Sequence, residues 1–148
     1  MEKVERCPIP HGLRMTYLIY FVIALVFGLA GTFAAKFVGD LAGHPVRDAD
    51  VNGLLGVASL TFALGAWYAY RAARWEQISL VTAMLAFFTG VGGLGGLIAY
   101  FVPSLIGVDR LPPVQLLVSI ILLLLGIAFT YFYTSIQGWR APLGAKSD

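Results

Sequence analysis

The chain has 148 residues, of which 59% are hydrophobic and only 12% charged, with a net charge of +2. A soluble domain carries about a quarter charged residues, so water is not the main solvent for this surface. The ten basic residues are scattered and form no cluster, which argues against a nucleic-acid partner. The single cysteine, Cys7, excludes an internal disulfide. It precedes the first apolar run, whereas a lipid-attachment cysteine would follow one, so an inert thiol is expected.

Four apolar segments are long enough to cross a bilayer, at 13–37, 51–70, 78–102 and 114–136. At 1.5 Å per residue each covers about 30 Å or more, the thickness of the hydrocarbon layer. Lipid offers the backbone no hydrogen-bond partners, so each segment must be a helix. The first run carries no charge from Met15 to Ala35, longer than the 7–15 residues or so of a signal peptide's apolar region, and reads as a retained span. The expected fold is all-α: one membrane domain over 1–148, an up-down-up-down bundle of four helices.

The connections punctuate these spans. Residues 39–50 carry Gly, Pro and three Asp, residues 71–77 form a short charged turn, and 103–113 ends in Pro112-Pro113. Lys and Arg set the expected orientation. Lys3, Arg6, Arg14, Arg71, Arg74, Arg140 and Lys146 fall on one side; Lys36, Arg47 and Arg110 fall on the other. The richer side should be cytoplasmic, placing both termini inside a cell membrane. Nine of the ten Trp and Tyr residues lie toward that same side, only Tyr100 toward the other, and anchoring in the headgroup layer is the expected role.

Small residues recur at spacings of three and four. The first helix has Ala24, Gly28, Gly31 and Ala35; the second Asn52, Gly56, Ser59, Ala63 and Ala66; the third Ser79, Ala83, Ala86, Gly90 and Gly93. Burying apolar side chains gives no gain in lipid, so helices there associate by close packing, which small residues permit. The fourth helix is mostly Leu and Ile, broken by Ser119, Gly126 and Thr130, and is expected to face lipid or a partner protein.

No Asp, Glu, Lys, Arg or His lies in the interior of any span; Arg14 and Lys36 stand at the two ends of the first. Lys36 is about 33 Å along the helix from Arg14 and reaches the far interface. Intramembrane charges mark proton relays and ion pathways, so a proton-coupled pump or ion transporter is not expected. A haem held by two histidines is also excluded, since His11 and His44 both lie outside the spans.

Two motifs resemble chemistry. Gly90, Gly92 and Gly95 match a dinucleotide fingerprint, but within an apolar helix, without the strand and helix N-terminus that motif requires. The local wealth of glycine instead predicts a kink or π-bulge near Gly92–Gly96. Asp48, Asp50, Asn52 and Gly53 match the first half of a calcium loop. The twelfth position, where a bidentate Glu belongs, is Ser59. Capping of the second helix by Asp48 or Asp50 is therefore preferred over a metal site.

In length and number of spans alone the chain resembles the DoxX-like membrane proteins and the microsomal glutathione transferases. The charged residues that glutathione binding requires within the spans are absent, and no residue role carries over.

The expected function is a non-catalytic membrane component, an accessory or stabilising subunit with the bilayer and other membrane proteins as partners and no cofactor. The alternative is a binder or carrier of an apolar molecule such as a lipid, quinone or pigment, with Trp67, Tyr70 or Tyr131 on the wall of its cleft. A membrane enzyme is the third reading, requiring His44 to converge with outer-loop carboxylates such as Asp40 and Asp48.

Overall fold

The structure, a computed structural model, describes residues 9–34, 36, 37, 49–106 and 111–138; for 49–52, 105, 106, 137 and 138 it describes the backbone alone. The described residues form four long helices: α1 (His11–Phe33), α2 (Ala49–Arg71), α3 (Trp75–Phe101) and α4 (Pro113–Gly138). A short 3₁₀ turn, Pro103–Ile106, follows α3. All four are long and apolar enough to span a membrane.

Local chemistry explains their ends. Pro10 precedes α1 with φ −58°, and its carbonyl accepts from the Arg14 N–H at 3.2 Å. Arg74 is extended before Trp75, so α3 starts three residues ahead of the expected Ile78 and the α2–α3 connection shrinks to Ala72–Arg74. Pro103 cannot continue α3, and the Val102 N–H closes its last turn on the Ile98 carbonyl at 2.8 Å. Pro113 opens α4 at the first helical position, where its missing N–H has no partner to lose. Helix α3 stays α-helical through all its glycines, with no π-bulge between Gly92 and Gly96. Its neighbours account for this: Gly93 lies directly against the backbone of α4, whose approach supports the helix where propensity does not.

Two pairs of helices touch at the backbone. A Cβ placed on Gly28 would lie 2.9 Å from the Leu60 nitrogen, and one on Gly56 only 2.5 Å from the Thr32 nitrogen. Between α3 and α4, a Cβ on Gly93 would lie 2.5 Å from the Leu123 nitrogen, and one on Gly126 2.6 Å from the Gly90 Cα. Along both pairs residue numbers rise on one helix as they fall on the other.

Between the pairs, large side chains bridge a wider gap. Phe62 of α2 stacks on Phe88 of α3 with ring centres 4.4 Å apart. Phe129 of α4 meets Tyr17 and Tyr20 of α1 at 5.3 and 5.8 Å. The large buried side chains, including Leu13, Tyr17, Trp75, Ile78 and Phe129, sit toward the end that carries the α2–α3 turn. Towards the far end the buried positions shrink to Gly28, Gly56, Gly93 and Ser119.

Two expectations change here. Tyr17, Tyr20 and Trp75 are core residues at 0%, 2% and 1% exposure, so these three rings are not surface anchors. The buried face of α3 is Trp75, Ile78, Thr82, Leu85, Thr89 and Gly93. The neighbouring series Ser79, Ala83, Ala86 and Gly90 is half-buried. In α4 the breaks in the Leu/Ile run are informative at two of three positions: Ser119 and Gly126 are buried, while Thr130 is exposed.

Candidate functional site

The buried polar groups lie on the helix surfaces that meet inside the bundle. Thr82 donates its hydroxyl to the Ile78 carbonyl at 2.7 Å. Its one proton is thereby placed, so the Tyr17 hydroxyl is the donor in the 2.5 Å bond to Thr82 Oγ1. This bond joins α1 to α3 across the bundle. Thr16 donates to Gly12, Thr89 to Leu85 and Ser119 to Gln115, at 3.0, 2.6 and 2.7 Å. Each is a hydroxyl bonded to the carbonyl one turn back, the usual way a helix satisfies Ser or Thr in an apolar setting. No buried hydroxyl in this set is left to take a substrate or a proton.

The Tyr17–Thr82 pair gives a measurable asymmetry. Tyr17→Phe removes one bond and leaves Thr82 satisfied, which is expected to destabilise the fold by about 0.5 kcal/mol. Thr82→Val leaves the Tyr17 hydroxyl buried without an acceptor and is expected to cost about 1–2 kcal/mol. Equal losses in detergent unfolding of the two variants would contradict this assignment of the donor.

On the outside, an apolar groove of about 290 Å³ runs between α1 and α4, lined mainly by Thr16, Ile19, Ile23, Ile121, Leu124 and Leu125. Its one polar wall residue, Thr16, already has its hydroxyl bonded to Gly12. The groove is open-sided and offers shape and apolar surface only.

Trp67, Tyr70 and Tyr131 do not border this groove. Trp67 lies against Phe21 of α1 at 5.2 Å and stacks on Tyr70 at 5.7 Å, with the Arg71 guanidinium over its ring at 5.8 Å. Tyr131 is 64% exposed on α4, and its ring contact is with Phe132. Asp50 and Asn52 fall in the first turn of α2, but their side chains lie outside the described residues. Asp40, His44 and Asp48 lie wholly outside them. Among the described residues no three His, Cys, Asp or Glu side chains gather.

A residue not singled out by sequence is Arg14. It is half-buried, its Nη2 reaches the Ala72 carbonyl at 3.5 Å, and its Nε is shielded with no acceptor. The only signal in the sequence was its place at the start of the first span.

No family model, curated protein or solved structure matches this chain. The functional reading therefore rests on geometry and composition.

Proposed function

We propose that the protein is a non-catalytic, multi-pass component of a cell membrane, an accessory or stabilising subunit of a larger membrane complex. The observation that carries this reading is the α1–α4 groove, a concave apolar surface without a free polar group. Such a surface suits the side chains of a neighbouring apolar helix, which pack into it as knobs into holes. The inward-turned hydroxyls are in keeping with this reading, because Tyr17, Thr82 and Thr89 bond within the bundle.

In this reading the single domain runs up-down-up-down with both termini in the cytoplasm. The opposed numbering of contacting residues in both helix pairs supports the alternation. The seven-to-three division of Lys and Arg supports the orientation.

Extraction of the native membrane in mild detergent, followed by intact-complex mass spectrometry, tests the proposal. A membrane protein should be retained in stoichiometric amount, and Ile121→Trp, which fills the groove, should release it. A monodisperse monomer without any protein partner would overturn the reading. Retention of an apolar small molecule that Ile121→Trp displaces would favour the second reading, a lipid, quinone or pigment binder using the same groove.

A further inference from the structure

We propose that Arg14, Arg71 and Arg74 form a site for the phosphate of an anionic lipid headgroup, at the end of the bundle where the α2–α3 turn meets the start of α1. The three residues come from three elements. Arg14 lies four residues into α1, Arg71 ends α2, and Arg74 caps α3. The Arg14 side chain reaches across to the turn, where Nη2 meets the Ala72 carbonyl at the long distance of 3.5 Å. A guanidinium has five N–H donors, and here one long bond is made while Nε is shielded and unpaired.

Arg71 is held differently. Its guanidinium lies over the Trp67 ring at 5.8 Å, and Trp67 itself stacks on Tyr70. This contact holds the Arg71 charge beside the Trp67 ring, and a guanidinium is the cation suited to bidentate contact with a phosphate.

Electrostatics points the same way. Helix N-termini are positive ends, yet Arg14 and Arg74 stand near two of them. Neither α1 nor α3 has a side-chain cap, and the first turn of α1 has no acidic residue. Glu76, in the first turn of α3, is the only carboxylate among the described side chains. The three cations and two positive helix ends outnumber this one carboxylate, and an anion placed beside them is stabilised. A lipid phosphate is the anion present at this depth, where apolar spans give way to headgroups. The Trp67–Tyr70 stack lies beside the site, as amphipathic rings do in that layer. A free phosphate shares the chemistry, and the test separates the two.

The experiment uses the full chain in detergent, titrated with phosphatidylglycerol or phosphatidylcholine and read by native mass spectrometry. Phosphatidylglycerol should be retained over phosphatidylcholine. Arg14→Gln combined with Arg71→Gln should weaken its retention by about tenfold or more. Lys36→Gln, an exposed cation at the other end of α1, should leave retention unchanged. If Arg14→Gln fails to fold, exposed Arg71 and Arg74 carry the test as single Gln variants. Equal retention of the two lipids, or undiminished retention in the Arg variants, overturns the proposal. So does equal protection against heat by inorganic phosphate and phosphatidylglycerol, which would make the ligand a free anion. The proposal rests on the membrane reading and not on a partner protein, so its failure would leave the subunit reading standing.

Discussion

Gly93→Ala is expected to destabilise the α3–α4 pair by about 2 kcal/mol or more, because the new methyl has nowhere to go. Its Cβ would lie 2.5 Å from the Leu123 nitrogen and 2.8 Å from the Leu123 Cα. These are backbone atoms, so no rotamer change can make room, and the helices must separate. Separation then loosens the neighbouring contact, where Gly126 lies against Gly90. Gly126→Ala should therefore act in the same direction, and the double variant should lose less than the sum, since the first separation already makes space for the second methyl. Gly95→Ala is the control: nothing lies within 4 Å of its Cβ. It should be neutral or mildly stabilising, as alanine is the better helix former. Reversible unfolding in mixed micelles reads all four. If Gly93→Ala and Gly95→Ala behaved alike, the close approach of α3 to α4 would be wrong.

Phe129→Ala should produce the second large loss, about 2 kcal/mol by the same assay. Phe129 is fully buried and its ring meets both Tyr17 and Tyr20. In a soluble core, Phe→Ala costs about 3–5 kcal/mol, part of which is transfer of apolar atoms from water. Here the separated helices remain in lipid, so the transfer part disappears and lost contact remains. Phe129→Leu, which keeps most of the volume, should lose less than half as much. The expected consequence is looser attachment of α1 to α4, with the two backbone-packed pairs intact. A loss confined to the α3–α4 contact would contradict the bridging role of this ring.

Membrane-spanning length and apolar character are properties of a segment alone, so the four helices were legible from 13–37, 51–70, 78–102 and 114–136. Which face of each helix turns inward was harder. A soluble helix marks its outside with charge, whereas a span surrounded by lipid is apolar all round. On α3 two neighbouring stripes, one through Ser79 and Ala83, the other through Ile78 and Thr82, have the same repeat. Only packing shows that the second is the buried one. Glycine was the better guide, because Gly28, Gly56, Gly93 and Gly126 mark places where a side chain would block the backbone of the next helix. Aromatic residues misled for the same reason in reverse. Tyr17, Tyr20 and Trp75 lie near one end of their helices, as interface anchors do, yet all three are buried: Tyr17 and Tyr20 meet Phe129 between the pairs, and Trp75 meets Tyr133 of α4.

The sequence by itself determined that the chain has four segments long and apolar enough to cross a membrane, each uncharged in its interior, and such a segment must satisfy its backbone internally as a helix. It also determined which residues are too charged to leave the interface, Arg14, Arg71 and Arg74 among them. Tertiary structure alone decided that Arg14 reaches the Ala72 carbonyl, that Tyr17 reaches Thr82 across the bundle, and that a groove remains between α1 and α4. Each of these joins residues far apart in the chain, and such contacts depend on how the helices pair, which no single span encodes.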